Sequence, residues 1–286
     1  NTDDDVMAIL KEAINDKSID PKSDQAKAIN LYKSVLDTIA RDKEGIKPLK
    51  PYLAKIDALK NSKDVVDLIA ELDDEINLGF FGVYVGTDAK DSKRNVVYVG
   101  TGSLGLPDRD YYVSDAPDNV EKRQKYQEHT ARMLQFLGQD ESSSQSDAAK
   151  ILALETKMST ATLDRVERRD RRKTYNPMSL ADLQKLAPTV KWNAYFKTVG
   201  IAKVDSLVVS QPKYIETVEA ILKENKIEDS KAYMRWTALR GSAGLLSTEI
   251  ENANFDFYGK KLTGAVKQRP AEERALATVN GRLGEA

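Results

Sequence analysis

The amino-acid sequence predicts a mainly α protein with one small β-hairpin, and three observations lead to this fold class. Glycine and proline are scarce, at 15 and 9 of 286 residues, so few positions break a helix. Apolar residues recur at helical spacing over most of the chain. Only residues 81–99 change to the alternating pattern that is typical of β-strands.

Apolar stripes predict four helices before this change of pattern. They cover residues 6–14, 28–39, 49–59 and 64–76. Gly45 and Pro48 end the second helix, and Ser62 is the predicted N-cap of the fourth. We expect Ile39 to lie on the buried face of the second helix, because it continues the stripe of Leu31 and Val35.

The hairpin is predicted directly after the fourth helix. Phe81, Val83 and Val85 alternate with small or polar residues, and residues 95–99 are β-branched or aromatic. The charged segment 89–94 between these two runs is the predicted turn. Gly100, Gly102 and Gly105 then lie in an irregular stretch.

Helical periodicity returns after the hairpin and continues to the end of the chain. The predicted helices cover residues 120–137, 148–166, 180–186, 192–199, 214–223, 230–254 and 270–286. The serine-rich segment 141–147 is a predicted loop, residues 176–179 break the chain, and residues 204–209 are a candidate short strand. Since no repeat or clear linker is visible, we expect one compact helical unit; the alternative is that the chain ends belong to a neighbouring domain.

Composition and charge exclude several classes of site. The sequence has no Cys and one His, which rules out disulfides, thiolate zinc sites, a Cys nucleophile and any site that needs two imidazoles. With 44 Lys and Arg against 45 Asp and Glu, the net charge of -1 provides no global field for nucleic acid or anionic lipid. No apolar run reaches the roughly 18 residues of a membrane-spanning helix.

The two ends of the sequence indicate a fragment. Residues 1–5 are acidic rather than a basic segment followed by an apolar one, so no targeting signal is visible. The chain has no initiator Met, and residues 282–286 read as the middle of a helix without a Gly or Pro stop. The cellular compartment, cytoplasmic or exported, is left open by these residues.

Two segments that could carry chemistry favour structural roles. His129 lies on a long amphipathic helix and has no second His one turn away, so we interpret it as a surface or boundary residue rather than a metal ligand. Residues 108–112 combine two carboxylates, a guanidinium and two phenols. Consecutive side chains in an extended segment point to opposite sides, which favours a structural corner in which Arg109 binds carboxylates or carbonyls.

The strongest basic run, residues 165–173, is the third candidate. Phosphate or nucleic-acid binding is the alternative, but interspersed acids predict helical ion pairs of Asp164 with Arg168 and of Glu167 with Arg171. A solvated helix end is therefore favoured. The glycines at 100, 102 and 105 read as turn residues, and the segment 241–244 reads as close helix packing inside a helical stretch.

Several segments resemble the neprilysin-like zinc metallopeptidases, peptidase family M13, which include bacterial oligoendopeptidase O. The most specific are residues 83–92 (VYVGTDAKDS) and 105–112 (GLPDRDYY), which are similar to the family's G-x-D-x-K-[ND]-S hairpin and G-L-P-x-R-D-Y-Y signature. Similar matches occur at residues 26–34 with 44–49, 175–180, 255–264 and 279–286. Val35 stands where animal members have Cys, which fits a bacterial, disulfide-free member. Residues 269–274 depart from the family's usual Arg-Trp.

The resemblance implies that residues 1–286 form the helical cap region of a longer enzyme, with residues from about 265 to 286 starting the return to an absent catalytic domain. That C-terminal domain would be the partner of this segment and would carry the H-E-x-x-H zinc helix and a downstream Glu. The resemblance thus implies a zinc endopeptidase acting on oligopeptides, a cap that encloses the substrate chamber, and no catalytic, cofactor-binding or metal residue in residues 1–286.

One segment has the same sequence as a family motif that belongs elsewhere in the enzyme. Residues 193–196 spell N-A-Y-F, the family's substrate-backbone-binding sequence, which belongs in the catalytic half. Trp192, Tyr195, Phe196 and Val199 fall on one helical face, so we interpret this segment as core packing. The alternative to a peptidase cap is a stand-alone, non-catalytic helical binding module, and phosphate or nucleic-acid binding through residues 165–173 ranks last.

Overall fold

The computed structural model describes residues 2–204 and 206–283, with side chains from Asp5 onward. Over these residues it contains fifteen α-helices and one four-stranded sheet, so the mainly α prediction is confirmed. The chain divides into two compact units. Unit 1 comprises the two ends of the chain, up to Pro48 and from Ala243, and unit 2 comprises residues 49–242. The expectation of one compact unit is wrong, because the chain ends build a core of their own.

Unit 1 is a helical assembly in which an N-terminal helix packs against a C-terminal one. Its helices are α1 (Thr2–Ala13), α2 (Asp24–Leu36), α3 (Thr38–Glu44), α14 (Thr248–Phe255) and α15 (Ala271–Leu283). α2 packs against α15. The buried core consists of Leu10, Ile29, Tyr32, Val35, Ala275, Leu276 and Val279. Because these residues come from opposite ends of the sequence, neither end can bury its apolar face alone.

The helix predicted over residues 28–39 is interrupted. α2 ends at Leu36, and the Asp37 carboxylate accepts a hydrogen bond from the Ala40 amide at 2.9 Å, which starts α3. The predicted burial of Ile39 is wrong, since its side chain is 84% exposed. Asp is a strong N-cap residue, and here the cap overrides the apolar periodicity.

The helix predicted over residues 230–254 is also interrupted. α13 (Ile227–Ser242) ends in a 3₁₀ turn at Ala243–Leu245, and Ser247 caps α14. α14 then widens into a π-helix over Asp256–Leu262. A Cβ at Gly241 or Gly244 would meet no heavy atom within 4 Å, so the predicted close packing at these glycines is wrong. They lie where the chain leaves unit 2 for unit 1.

Unit 2 contains the remaining helices and the sheet. Its helices are α4 (Lys50–Asp57), α5 (Ser62–Glu71), α6 (Arg109–Val113), α7 (Pro117–Gln135), α8 (Glu141–Thr160), α9 (Arg171–Thr174), α10 (Leu180–Leu186), α11 (Trp192–Thr198), α12 (Pro212–Glu224) and α13. The N-cap of α5 is Asn61 rather than the predicted Ser62, because the Asn61 side chain accepts from the Asp64 amide at 3.1 Å. None of the described helices is long and apolar enough to span a bilayer.

The serine-rich segment 141–147 forms the first two turns of α8, so the loop prediction is wrong. Asp140 caps this helix by accepting from the Ser143 amide at 2.8 Å and from its hydroxyl at 2.9 Å. Ser144 is buried and donates to the Glu141 carbonyl at 2.9 Å. Serine competes with helix in the interior but is accommodated near an N-cap, where its hydroxyl satisfies free backbone groups.

The sheet has the strand order β1-β2-β4-β3. Its strands are β1 (Phe81–Asp88), β2 (Asp91–Thr101), β3 (Asn176–Ser179) and β4 (Ser206–Val209). The predicted hairpin is confirmed as the antiparallel pair β1–β2, in which Val83 lies opposite Val99. The candidate strand at residues 204–209 is β4, which runs parallel to β2. Residues 176–179 are predicted to be a chain break. They instead form strand β3, because they pair antiparallel with β4.

The hairpin turn is tighter than predicted, because β2 begins at Asp91 inside the charged segment 89–94. The Asp88 carboxylate holds the turn by accepting from the Lys90 amide at 2.9 Å, the Tyr175 hydroxyl at 2.8 Å and the Arg94 guanidinium. These donors stabilise the charged form and lower the pKa of Asp88 to about 2, with the Lys90 amide as the largest cause. The hairpin is therefore joined to the segment before β3 by a carboxylate that stays ionised above that pH.

Candidate functional site

The segment 105–112, the most distinctive in the sequence, is built around one buried carboxylate. Glu155 on α8 is fully buried, and its Oε1 accepts from the Gly105 amide at 3.1 Å. Its Oε2 accepts from the hydroxyls of Tyr112 and Tyr126, each at 2.8 Å. The Tyr112 hydroxyl in turn accepts from the Leu106 amide at 2.7 Å. Both carboxylate oxygens are thus satisfied, which makes this cluster a structural corner rather than a free acid or base.

Two glycines allow the backbone to approach this cluster. A Cβ at Gly105 would lie 1.7 Å from the Tyr126 hydroxyl, and one at Gly102 would lie 1.6 Å from the carbonyl oxygen of Gly79. Cβ atoms do not occupy such positions in folded proteins, so only glycine fits. The interpretation of these residues as turn glycines is therefore incomplete, because their function is close packing.

Residues 108–112 belong to a structural corner, as predicted, but their backbone conformation and the contacts of Arg109 differ from the prediction. Residues 109–113 form the short helix α6 rather than an extended segment. Within the described part of the chain, Arg109 donates to the Thr162 carbonyl at 3.5 Å. Arg240 on α13 holds the loop directly before this segment, donating to the carbonyls of Ser103 and Leu104 at 2.6 Å each. The guanidinium that organises this loop comes from a distant helix.

Sequence reasoning missed Glu155, although a signal was present. Glu155 lies four residues after Ile151 and three before Met158, both of which are buried on the same face of α8. A carboxylate on an apolar helical stripe must find hydrogen-bond donors when it is buried. That pattern predicts a buried network, whereas the identity of the donors depends on the tertiary structure.

We expect the stability of unit 2 to depend on the ionisation of Glu155. Burial raises its pKa above the ordinary value of 4.5, against the opposing effects of Arg240 and of the three donors. A raised pKa means that the folded state binds more protons, so the contribution is most favourable below pH 4.5 and is lost as the pH rises towards the folded pKa.

The test compares wild type with Glu155→Gln, which keeps a neutral hydrogen-bonding group. Urea unfolding at a series of pH values between 5 and 8 should show wild type losing stability relative to the variant, by up to about 1.4 kcal/mol per pH unit. A difference that is constant with pH, or that grows in favour of wild type, would contradict a raised pKa.

His129 lies in the core of unit 2, so its interpretation as a surface or boundary residue is wrong. Its side chain is 5% exposed, and its ring meets the Trp236 ring edge-on at a centroid distance of 5.7 Å. Among the residues with described placement, no group of three or more His, Asp or Glu side chains is arranged to hold a metal ion. The environment of His129 is aromatic packing.

The basic run 165–173 does not form the predicted helix end. It consists of a 3₁₀ turn at Glu167–Arg169 followed by α9, and the predicted pairs are replaced by others. Arg168 binds Asp108 at 3.1 Å, Lys173 binds Glu167 at 2.7 Å and Arg172 binds Asp170 at 3.0 Å. Neighbouring acids therefore neutralise part of the run, and this gives no support to phosphate binding.

The two aromatic residues of the N-A-Y-F segment are core residues, as predicted, whereas Asn193 and Ala194 are exposed. Residues 193–196 lie on α11, where Tyr195 and Phe196 are 3% and 2% exposed. The Phe81 ring lies 5.3 Å from the Tyr195 ring and 5.4 Å from the Trp192 ring. These side chains join the hairpin to α11 and are not available to a substrate.

Unit 1 contains a crevice of about 340 Å³ that the sequence did not indicate. Glu251 lines it and is held by two guanidinium groups, Arg41 at 2.9 Å and Arg274 at 2.9 Å. Arg41 is buried and also donates to the carbonyls of Val35, Leu246 and Gly244 at 2.8–3.0 Å. The pair Arg41–Glu251 joins α3 to α14 and supports one wall of the crevice.

Comparison with known proteins gives a consistent result. The family model described as Peptidase family M13 matches residues 1–286. Endothelin-converting enzyme 1 of Cavia porcellus is 28% identical over 274 residues, which cover 90% of this chain and 36% of that protein.

Two solved structures of the zinc metalloprotease Zmp1 of Mycobacterium tuberculosis are each 31% identical to this chain. The complex with an inhibitor has a TM-score of 0.91 and matches 99% of this chain and 43% of that one. The open state has a TM-score of 0.90 and matches 97% of this chain and 43% of that one. The chain thus spans about a third of the length of the curated relative and less than half of each solved chain.

Proposed function

This chain belongs to peptidase family M13, and on that premise we propose that it forms the helical cap of a zinc-dependent metalloendopeptidase. The cap encloses a chamber and admits oligopeptides but not folded proteins. Residues from about 265 to 286, which include α15, would lead from the cap back towards the catalytic domain.

The observation that carries this proposal is the extent of the structural match. Nearly the whole chain, 97–99%, aligns with less than half of a zinc metalloprotease at TM-scores of 0.90 and 0.91. That enzyme has been solved in an open state and with an inhibitor. A region that corresponds so completely to one part of that enzyme is suited to form a wall of its enclosed site.

The chemistry of the reaction belongs to the rest of such an enzyme. Protein-bound zinc takes His, Cys or carboxylate ligands, and the described residues provide no such cluster. When bound, zinc activates a water molecule for attack on the peptide carbonyl. We propose that this chain contributes a wall that limits substrate size and water access, which are advantages of an enclosed site.

Buried hydrogen bonds make unit 2 a rigid part of this wall. In unit 2 the Glu155 cluster connects α8, α6, α7 and the loop after β2 through hydrogen bonds of 2.7–3.1 Å. Buried networks with every member satisfied hold a single arrangement. A cap built in this way would exclude large substrates by its shape rather than by local closure of loops.

We predict that residues 1–286 purified alone will bind no stoichiometric zinc and cleave no peptide. The complete protein should do both, and a chelator should abolish cleavage. Metal analysis and a quenched fluorescent peptide provide the measurements, and the same cleavable sequence inserted in a stable folded protein tests size selection. Zinc-dependent cleavage by residues 1–286, or equal cleavage of the free and the inserted sequence, would refute the proposal.

The second candidate is a stand-alone helical binding module, and the crevice of unit 1 is the observation that favours it. The intact mass of the protein from its native source separates the two. A mass far above the 31.9 kDa of this chain, with an H-E-x-x-H peptide, supports the peptidase. A mass near 31.9 kDa supports the binding module.

A further inference from the structure

The strand β1 is an unprotected edge of the sheet in unit 2. The strand order places it at one end, so that in the described part of the chain only β2 pairs with it. Edge strands are usually protected by charged side chains, proline or bulges. Residues 81–87 contain no charged residue and no proline, and their register with β2 is regular up to Thr87. The outer side of β1 therefore offers unpaired backbone N–H and C=O groups to another strand.

The side chains in the middle of this edge are exposed. Tyr84 and Val85 are 58% and 54% exposed. As neighbours on a strand they point to opposite faces of the sheet, so the edge presents apolar surface on both faces. A strand added at this edge would cover both side chains as well as pairing with the backbone.

The ring of Tyr84 belongs to a ladder that an added strand can extend. It stacks on the Tyr98 ring of β2 with a centroid distance of 5.0 Å and an interplanar angle of 10°. The Tyr98 hydroxyl donates to the Thr87 carbonyl at 3.0 Å and accepts from the Ala89 amide at 3.1 Å, which fixes its ring. The ring spacing is close to the roughly 4.8 Å between neighbouring strands. A third ring at the same register of an added strand would therefore stack on the outer face of Tyr84.

The sequence of the edge is complementary to itself. Residues 82–86 read Gly-Val-Tyr-Val-Gly, which is the same in both directions. If two copies of β1 pair antiparallel about a two-fold axis at Tyr84, each Val83 lies opposite a Val85 and the two tyrosine rings lie opposite each other. Pairs of aromatic and of β-branched residues stabilise neighbouring strands, whereas like charges destabilise them. Because residues 81–87 are uncharged, this pairing opposes no like charges.

We propose that two copies of this chain associate through their β1 strands, antiparallel and with the two Tyr84 residues opposite each other. The two four-stranded sheets then form one continuous sheet across a two-fold axis. A single strand pair is a small interface, so we expect a weak dimer with a Kd on the order of 10–100 μM. The inference uses only contacts within unit 2 and stands or falls separately from the zinc chemistry proposed above.

Sedimentation velocity of the chain at a series of concentrations from about 1 to 300 μM tests the association. We expect the mass to rise with concentration from 31.9 kDa towards twice that value. Val85→Lys should weaken the dimer at least about tenfold, because a lysine on an edge strand opposes pairing. Val166→Lys is the matched control, since Val166 is 78% exposed in the same unit but lies outside the sheet. It should leave the Kd within about twofold of wild type, as surface substitutions usually do.

A single introduced cysteine tests the register, because the chain has no Cys of its own. Tyr84→Cys would place two thiols on directly opposed residues, whose Cα atoms lie about 4.5–5.5 Å apart, within the range of a disulfide. Copper–phenanthroline in air, which removes two electrons and two protons from the thiol pair, should then give a covalent dimer. Thr87→Cys is the control on the same exposed edge. Its two thiols would lie six residue positions apart along the strands, roughly 20 Å, and should not cross-link.

Thermal unfolding confirms that each variant is folded. A mass of one chain at every concentration would overturn the proposal and would mean that the edge is covered by another partner or stays open. Equal effects of Val85→Lys and Val166→Lys would place the contact elsewhere on the chain. Equal cross-linking of Tyr84→Cys and Thr87→Cys would contradict the register about Tyr84.

Discussion

Replacing Gly102 with alanine is expected to destabilise unit 2 by about 3 kcal/mol or more, the upper part of the range for overpacked sites. The new Cβ would lie 1.6 Å from the Gly79 carbonyl oxygen and 2.7 Å from its carbon. Because the opposing atoms belong to the backbone, no side-chain rotation can relieve the clash.

The surroundings of Gly79 prevent the backbone from moving away. Gly79 has a φ of 95°, in the left-handed region, and its carbonyl accepts from the Tyr233 hydroxyl at 3.2 Å. The Gly102 amide donates to the Tyr214 hydroxyl at 3.1 Å, and that hydroxyl donates to the Phe80 carbonyl at 2.8 Å. Shifting either of these two backbone segments would break these buried hydrogen bonds, and unsatisfied buried groups are costly.

Gly100→Ala is the control for this prediction. A Cβ at Gly100 would have its nearest neighbour at 3.6 Å, the Ser210 hydroxyl, which is an ordinary contact. We expect this variant to lose less than about 1 kcal/mol, because glycine inside a strand has no conformational advantage. Urea unfolding followed by tryptophan fluorescence reports on unit 2, since Trp192 and Trp236 both lie there. Similar losses in the two variants would show that the close approach at Gly102 is not the cause.

Replacing Glu251 with alanine is expected to destabilise unit 1 by about 3–5 kcal/mol, the usual cost of breaking a buried ion pair. The side chains of Arg41 and Glu251 are 7% and 9% exposed and lie 2.9 Å apart. Removing the carboxylate would leave a buried guanidinium with carbonyl acceptors but no counter-charge. The variant would also release Arg274, which binds the other carboxylate oxygen at 2.9 Å.

Glu272→Ala provides a matched control within the same unit. Glu272 pairs with Lys11 at 2.7 Å, but the two side chains are 51% and 52% exposed. An exposed pair contributes about 0–1 kcal/mol, so this variant should remain close to wild type. Both substitutions remove one carboxylate, but Glu251 is buried and binds two guanidinium groups, whereas Glu272 is exposed and binds one ammonium group. The contrast therefore measures the effect of burial together with that of the second cation.

Hydrogen exchange measured by mass spectrometry localises the effect to unit 1. We expect Glu251→Ala to raise exchange in α2, α14 and α15, while the helices of unit 2 keep their protection. Unchanged exchange in α14, or an equal effect of Glu272→Ala, would contradict a stabilising role for the buried pair. Glu251→Gln should give an intermediate result, because it keeps the shape and loses the charge.

Much of the fold could be predicted from local patterns. The mainly α class, the hairpin, the helix at 180–186 and the packing of the aromatic stripe at 192–199 follow from periodicity over short windows. The errors arose where a local cap competed with that periodicity. Asp37 ends one predicted helix, and Asp140 converts the predicted serine-rich loop into the start of α8.

The sequence by itself determined the family resemblance, the helical character and the exclusion of any site that needs cysteine or two histidines. These follow from composition and from motifs that can be read along the chain. The tertiary structure alone decided which acid is buried at the 105–112 corner and that Arg240 holds the loop directly before it. It also decided that the chain ends form their own unit and that a crevice lies between α14 and α15. Each of these depends on residues far apart in sequence that meet only when apolar faces from different segments are buried together. Local periodicity contains no information about that pairing.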